Sequence, residues 1–260
     1  MAEKVIVILV DGMRADAPAA CGHPFVDTCI AKSAYAAAAR TVFPSVTLPC
    51  HMSLFHSVTP DRHGILSNTW MPQVRPVKGL VEQLDDAGRK CAFFITWEEL
   101  RDLSRPDHLT YSCMYNQHKY DDSDDRITEY AIDYINREQP DFVFLYLGQT
   151  DEKGGHDTGW MSETYLQVVN NAWNDIEKVF AQVQGYNIIV TADHGGHDRH
   201  HGTDMPEDMT IPMFLSGPAF KQGAKLENVS ILDIAPTVAK LLEAAPAKEW
   251  EGRVLTEALV

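Results

Sequence analysis

Short apolar runs alternate with longer segments of mixed polarity along the chain. Six runs have the length and the β-branched or aromatic content of buried strands, at 5–10, 91–96, 109–114, 141–147, 187–191 and 211–215. Four longer segments predict helices, at 79–87, 124–136, 163–183 and 231–242. Alternating strands and helices are typical of an α/β fold in which a mostly parallel central sheet is flanked by helices.

The length and composition of the chain fit one hydrophobic core. It has 260 residues, of which 45% are hydrophobic and 23% charged, so it can bury a sizeable core and is not globally disordered. It contains no internal repeat, no low-complexity segment and no linker rich enough to divide it. We therefore predict a single domain over 1–260, in which residues 97–125 could form a small insertion because their local signals are weak.

A formal net charge of −15 makes the chain a poor binder of nucleic acid polymers and of anionic membranes, which both favour Lys and Arg clusters. A small anionic substrate remains compatible with this charge, because a bound metal reverses the local field. No apolar run approaches the roughly 18 residues of a membrane-spanning helix, and the apolar N-terminal run stops at Asp11. Five scattered cysteines without a CxxC pair predict a reducing, cytoplasmic location and no cysteine-built zinc site.

Three of the predicted strands are followed by an aspartate. Asp11 comes directly after the first run, Asp151 follows the run at 141–147, and Asp193 follows the run at 187–191. In open α/β sheets the ligand site lies at the carboxyl ends of the strands, so we expect these carboxylates to share one edge of the sheet. Carboxylates that lie close together are costly unless cations neutralise them.

Histidines accompany two of these aspartates. His194 follows Asp193 directly, and His156 lies five residues after Asp151. The segment DHGGHDRHHGT adds three more, His197, His200 and His201. Taken singly, each aspartate is an ordinary turn or helix cap and each histidine an ordinary loop residue. Their joint occurrence just after strands predicts a catalytic metal site, since mixed carboxylate and imidazole ligands suit Zn²⁺ and also Mn²⁺ or Fe²⁺.

Four segments together have the order and spacing of a known enzyme superfamily. They are ILVDGMR, FPSVTLPCHMSLFHSVTPDRHGILSN, TDEKGGHDTGW and TADHGGHDRHHGTDMPEDMTIP, and they span most of the chain. In these segments the chain resembles the alkaline phosphatase superfamily, and within it the type I phosphodiesterase/nucleotide pyrophosphatase family. The resemblance implies an alkaline-phosphatase-like three-layer sandwich with a mostly parallel central sheet.

The resemblance also implies two divalent cations, most readily zinc, with manganese or iron as alternatives. Its motif positions assign one cation to Asp11, Asp193, His194 and the hydroxyl of Thr47. They assign the other to Asp151, His156 and His201, with Thr47 approaching both. Two positions depart from the family pattern: the second site is spaced Asp-x4-His instead of Asp-x3-His, and Cys50 stands where an asparagine is common. Two adjacent glycines give the longer loop the freedom to absorb the extra residue.

Thr47 is the predicted nucleophile. A free threonine hydroxyl is a weak nucleophile, but coordination to a divalent metal lowers its pKa. Thr47 also lies at a predicted helix entry with Pro49, where backbone N–H groups and the helix dipole favour anions; a helix N-cap is the alternative role. By the resemblance, Asn68 donates to a phosphoryl oxygen together with the Thr47 N–H. His51 either orients a ligand carboxylate or fills the core.

The resemblance therefore implies a two-metal hydrolase that cleaves phosphodiester or nucleotide pyrophosphate bonds through a phospho-threonine intermediate. A phosphomonoesterase or phosphonate hydrolase of the same superfamily is the alternative, although the arginine that holds the extra charge of a monoester has no counterpart at a motif position. A sulfatase is disfavoured because TLPCH is not a Cys/Ser-x-Pro-x-Arg segment. A non-catalytic metal-binding protein is the rival from another class, and Thr47 and Asn68 argue against it.

We expect a small phosphorylated substrate, whose leaving group would need a pocket beside Thr47. Four apolar residues could line its pocket or belong to the core: Trp97, Tyr111, Trp160 and Met161. Nothing in the sequence specifies an oligomeric state.

Overall fold

The computed structural model describes residues 3–260, which contain one seven-stranded sheet. The strands are β1 (Val5–Val10), β2 (Ser33–Arg40), β3 (Cys91–Ile95), β4 (Tyr111–Met114), β5 (Phe142–Leu147), β6 (Asn187–Thr191) and β7 (Thr210–Ser216). Their order across the sheet is β2-β7-β6-β1-β5-β3-β4. Only β7 runs against its neighbours, so the sheet is mostly parallel, as predicted.

Helices cover both faces of the sheet. In chain order they are α1 (Ala17–Ala20), α2 (Phe25–Lys32), α3 (Thr47–His56), α4 (Pro60–His63), α5 (Leu80–Asp86), α6 (Ser123–Glu138), α7 (Glu163–Gln182), α8 (Pro206–Met209) and α9 (Ile234–Leu241). The group α1, α2, α6 and α7 packs together on one face, and the group α3, α4, α5 and α9 packs on the other. This arrangement confirms the predicted three-layer α/β sandwich.

The core forms around the central strands. Every residue of β1 is buried, and β1 pairs in parallel with β5 on one side and β6 on the other. On the α3 face, the Phe144 ring of β5 packs against Phe55 at a centroid distance of 5.0 Å and against Phe93 at 5.1 Å. Strands buried on both faces need apolar residues at every position, which is why these runs are continuous in the sequence.

The strand β2 was not expected from the sequence. Its segment, SAYAAAAR, is rich in alanine, which has the highest intrinsic helix propensity. In the structure it pairs antiparallel with β7, and bridges from Tyr35 to Lys225 and from Arg40 to Ser230 cover part of its outer side. Pairing and burial at the sheet edge therefore override the local helix preference.

The remaining differences concern shorter segments. Within 97–125, the chain forms a 3-10 helix (Glu98–Ser104) and then strand β4, which extends the same sheet at its edge. The helix predicted over 231–242 begins as a 3-10 turn (Ile231–Asp233) before α9. A π-helix lies at Thr150–His156, and a further 3-10 helix lies at Thr256–Ala258.

Among residues 3–260, none of the helices has both the length and the apolar character needed to cross a membrane.

Candidate active site

The three predicted aspartates meet at one edge of the sheet. Strands β6, β1 and β5 are neighbours and run in parallel, so the loops after them bring Asp193, Asp11 and Asp151 together. All three side chains are buried. Ligand atoms within 4.8 Å of one another form two groups that share His194: one with Asp11 and Asp193, the other with Asp151 and His201. The structure thus assembles the predicted ligands into two adjoining clusters.

The first cluster contains Asp11, Asp193 and His194. The His194 Nε2 atom lies 3.3 Å from Asp11 Oδ1 and 3.4 Å from Asp193 Oδ2. The other oxygen of Asp193, Oδ1, accepts a hydrogen bond of 3.1 Å from the backbone N–H of Gly12. Gly12 has φ +64 and turns the chain out of β1, and this turn aims its N–H at the carboxylate.

We call the predicted second ligand set, Asp151, His156 and His201, the second cluster; His156 lies outside the compact group that Asp151 and His201 form with His194. The His156 Nε2 atom lies 3.4 Å from Asp151 Oδ2, and the His201 Nε2 atom lies 3.8 Å from Asp151 Oδ1. The His201 ring stacks on the His194 ring with a centroid distance of 3.9 Å, and this stacking joins the two clusters. Five of the seven predicted metal-ligating residues therefore lie in the two compact groups, and His156 adjoins them through Asp151.

The three histidines share one hydrogen-bonding pattern. In each ring, Nδ1 lies within hydrogen-bond distance of a backbone carbonyl and Nε2 faces the carboxylates. The carbonyls belong to Gly195 for His194 (2.8 Å), Arg199 for His156 (3.1 Å) and Ser45 for His201 (2.9 Å). Because a carbonyl only accepts, Nδ1 carries a proton, and Nε2 is the nitrogen through which each ring could bind a metal. This is the protonation pattern that a metal-ligating imidazole requires.

Three carboxylate oxygens of the two clusters receive no hydrogen bond from the described residues. Asp11 Oδ1, Asp151 Oδ1 and Asp193 Oδ2 are buried and have no hydrogen-bond partner among the described residues. Burial raises the pKa of all three carboxyls, and repulsion from Asp193 and Asp151 raises the pKa of Asp11 further. Burial also lowers the pKa of His194, which favours its neutral form. The donor set therefore fits divalent cations with borderline ligand preference, such as Zn²⁺, Mn²⁺ or Fe²⁺.

The unusual spacing between Asp151 and His156 has a structural explanation. Residues Thr150–His156 form a π-helix, whose closing hydrogen bond runs from the N–H of Asp157 to the carbonyl of Glu152, five residues earlier. A π-helical turn holds one residue more than an α-helical turn, so residues at i and i+5 occupy the same side. The extra residue is absorbed within the turn, and His156 still reaches Asp151.

Thr47 lies at the start of α3 and faces the first cluster. Its hydroxyl is 3.3 Å from His194 Nε2. Val46 occupies the N-cap position, so Thr47 is the first helical residue and not an N-cap. The His51 Nδ1 atom donates to the Thr47 carbonyl at 2.7 Å and lies 3.6 Å from Asp193 Oδ2, while its ring packs edge-on against Tyr146. Of the two roles that the sequence left open, these contacts favour the core role, because the ring is fully buried and forms no hydrogen bond to the Asp193 carboxylate.

Asn68 is held beside the nucleophile by the same helix. Its side-chain oxygen accepts a hydrogen bond of 3.0 Å from the backbone N–H of Leu48, the residue after Thr47. With Oδ1 used in this way, the Nδ2 group is the part of Asn68 that remains to donate elsewhere. Asn68 is exposed, so a substrate can reach it.

Several residues around the cluster were missed by the sequence analysis. The Tyr146 hydroxyl donates to Asp11 Oδ2, and the Tyr165 hydroxyl donates to the Gly12 carbonyl at 2.9 Å. Ser45 links the segment before Thr47 to the His201 loop, because its hydroxyl donates to the Thr203 carbonyl at 2.7 Å. Tyr146 could have been recognised as a polar side chain near the end of an otherwise apolar strand.

The other residues considered in the sequence lie outside the cluster. The His197 Nδ1 atom is 2.7 Å from the buried Asp208 carboxylate, and His200 is exposed. Trp97 and Met161 pack at the margin of the core, and Tyr111 lies on the edge strand β4. Trp160, by contrast, is buried against the second cluster.

The fold and the site together define a protein of the alkaline phosphatase superfamily. The family model of the type I phosphodiesterase/nucleotide pyrophosphatase family matches residues 5–209, and the chain belongs to that family. A 2,3-bisphosphoglycerate-independent phosphoglycerate mutase from Bacteroides thetaiotaomicron is 25% identical over 132 residues, which cover 50% of this chain but 26% of the mutase.

Two solved structures share the fold at low sequence identity. An inactive variant of murine ectonucleotide pyrophosphatase/phosphodiesterase 5 in complex with AMP is 16% identical, with a TM-score of 0.79, and the match covers 94% of this chain and 96% of that one. A phosphonate monoester hydrolase from Silicibacter pomeroyi is 15% identical, with a TM-score of 0.73, and the match covers 98% of this chain and 76% of that one.

Proposed function

We propose that the protein is a two-metal hydrolase that cleaves phosphodiester or nucleotide pyrophosphate bonds of small phosphorylated substrates through a phospho-threonine intermediate. The observation that carries this proposal is the position of the Thr47 hydroxyl, 3.3 Å from His194 Nε2 at the start of α3. A hydroxyl at a helix N-terminus, beside a cluster of buried carboxylates and imidazoles, is suited to attack phosphorus.

The residues fit two cations held by the clusters already described. When bound, such cations supply Lewis-acid stabilisation of the phosphoryl oxygens and lower the pKa of the Thr47 hydroxyl. The orphaned oxygens of Asp11, Asp151 and Asp193 are the part of the chain that supports this assignment.

The chemistry falls to Thr47. Its hydroxyl gives up its proton to solvent, and its oxygen attacks phosphorus in line with the leaving oxygen. The bond from phosphorus to that oxygen breaks, and the leaving group departs with the electron pair of the broken bond. The product is a phosphate ester on Thr47, which water hydrolyses to restore the hydroxyl. In each step the developing negative charge on a phosphoryl oxygen is met by Asn68 Nδ2 and by the backbone N–H of Thr47.

Neutral donors near the nucleophile favour a diester over a monoester. A diester phosphoryl group carries less negative charge, and Asn68 is an uncharged donor. Two nearby arginines have partners of their own: Arg14 pairs with Asp16 at 2.8 Å, and Arg62 donates to the Arg75 carbonyl at 2.8 Å. The murine neighbour that binds AMP supports a nucleotide-like substrate class.

A phosphonate or phosphomonoester substrate is the second candidate. The Silicibacter pomeroyi neighbour, named as a phosphonate monoester hydrolase, covers 98% of this chain at a TM-score of 0.73. The same Thr47 attack would then release a different leaving group, so the two candidates differ in specificity and not in the nucleophile.

The test compares bis-p-nitrophenyl phosphate with p-nitrophenyl phosphate as substrates of the zinc- or manganese-loaded protein. We expect a higher kcat/KM for the diester, and Thr47→Ala should lower kcat by at least about 10³-fold while metal content persists. Thr128→Ala, which removes a buried threonine hydroxyl on α6, is the matched control and should keep activity.

Other results would contradict the proposed function in different ways. A preference for the monoester would change the assignment to a phosphatase. Full activity of Thr47→Ala would exclude the phospho-threonine route. Two bound metals without hydrolysis of either ester or of a phosphonate would favour the non-catalytic metal-binding protein. Mass spectrometry of an acid-quenched reaction with the diester should find a p-nitrophenyl phosphoryl group on the peptide that contains Thr47.

A further inference from the structure

Trp160 is wedged between two of the loops that carry the metal-ligating residues. A Cβ atom placed on Gly155 would lie 2.4 Å from Trp160 Cζ2, and one placed on Gly196 would lie 2.2 Å from Trp160 Cε2. Gly155 belongs to the π-helix after β5, and Gly196 belongs to the loop after β6. The indole therefore fills the space between these backbones, and only glycine at the two positions lets it do so.

The two N–H groups of Trp160 form hydrogen bonds to two further backbone positions. Its indole Nε1 donates to the Gly12 carbonyl at 2.8 Å, in the turn after β1. Its backbone N–H donates to the Asp198 carbonyl at 2.8 Å, three residues before His201. One residue thus contacts the loops after all three strands that end in a ligand aspartate.

The rings of Trp160 and the second cluster are in direct contact. The indole lies at a centroid distance of 5.3 Å from the His156 ring, at 84°, and 5.8 Å from the His201 ring, at 61°. Both histidines also face Asp151. With only 7% of its surface exposed, Trp160 has no free ring face for a leaving group, which was one of its two predicted roles.

We propose that Trp160 is a positioning residue that sets the metal affinity of the second cluster (Asp151, His156 and His201) in preference to that of the first (Asp11, Asp193 and His194). The inference rests on the proposed two-metal function. The π-helix contains an extra residue and two adjacent glycines, so its own backbone restrains His156 weakly. A packed indole supplies the missing restraint, because metal ligands must be held within a few tenths of an ångström.

The experiment is a zinc titration of chelator-stripped protein by isothermal calorimetry. In the wild type we expect two ions per chain. In Trp160→Phe, which removes the indole N–H and one ring, we expect one affinity to stay within about threefold and the other to fall by about 10- to 100-fold. Trp173→Phe is the matched control: Trp173 is fully buried, packs against Phe25 and Phe214, and should leave both affinities unchanged.

A second variant perturbs the same contact from the other side. Gly155→Ala keeps the indole but forces it away from the π-helix, and it should weaken the same cluster selectively. If Trp160→Phe does not fold, Gly155→Ala tests the role of Trp160 in its place. His156→Ala identifies which of the two affinities belongs to the second cluster, since it removes a ligand of that cluster outright.

The outcomes separate this inference from the function on which it rests. Two ions in the wild type, with unchanged affinities in Trp160→Phe or Gly155→Ala, would overturn the role of Trp160 alone. Equal weakening of both ions would also overturn it, because Trp160 would then support the whole sheet edge. Fewer than two ions in the wild type would overturn the two-metal proposal and this inference with it.

Discussion

His63 makes the stability of the protein depend on pH in a way that one substitution can isolate. Its side chain is buried, with 2% exposure, behind α3. The Nδ1 atom accepts from the Ile65 N–H at 3.1 Å, so Nε2 carries the proton and donates to the Ser53 hydroxyl at 3.1 Å. Burial lowers the pKa of His63 from 6.5 to about 4. The folded protein therefore keeps this ring neutral where the unfolded chain would protonate it.

The direction and size of the effect follow from proton linkage. Between about pH 4 and 6.5 the unfolded state binds more protons at His63 than the folded state, so stability falls as the pH falls. At 1.36 kcal/mol per pH unit, the full loss is at most about 3 kcal/mol, and about 2 kcal/mol of it is already present at pH 5. His56, buried with its pKa also lowered to about 4, adds an effect of the same sign.

The variant His63→Gln cannot titrate in this range and retains a donor for Ser53. It leaves the Ile65 N–H without an acceptor, which costs about 1–3 kcal/mol at every pH. Urea unfolding of both chelator-stripped proteins between pH 5 and 8 measures the difference in free energy of unfolding. We expect the wild-type advantage to shrink by about 2 kcal/mol between pH 8 and pH 5. A difference that stays constant within about 0.5 kcal/mol over this range would refute the reasoning.

Three further substitutions test the site. Asn68→Ala should lower kcat/KM for a diester by about 10²- to 10³-fold without changing zinc affinity, because it removes a donor to the developing oxyanion; steady-state kinetics measures this. Tyr146→Phe removes the hydroxyl that donates to Asp11 Oδ2 and should weaken zinc binding by about 10- to 100-fold, measured by competition with a chromophoric chelator. Asp208→Asn should cost about 1–3 kcal/mol in urea unfolding, since the buried carboxylate accepts three hydrogen bonds.

Matched variants distinguish these effects from general damage. Asn136→Ala removes an amide that donates to the Gln182 carbonyl far from the cluster and should leave kinetics unchanged. Tyr186→Phe removes a buried hydroxyl that donates to the Pro140 carbonyl and should leave zinc affinity unchanged. Equal effects of the site and control variants would contradict the assigned roles, and an Asp208→Asn protein as stable as the wild type would show that another group replaces the carboxylate.

The strands that carry the site residues could be predicted because strands buried on both faces consist almost entirely of apolar residues. β1, β5 and β6 are buried on both faces, so their runs are continuously apolar and the aspartates after them stand out. The ligands Asp193 and His194 are adjacent in the chain, and Thr47 lies next to a helix entry. Each of these features depends only on residues that are neighbours in the chain, so the sequence by itself determined the strands and these ligand positions.

The tertiary structure decided what depends on contacts between distant segments. The alanine-rich segment of β2 became a strand through its pairing with β7, against its own helix preference. The extra residue before His156 was absorbed by a π-helix, and Trp160 was placed against that helix by glycines of two different loops. Such contacts join residues that are far apart in sequence, and they depend on packing between the folded layers. They therefore could not be predicted from any local sequence pattern.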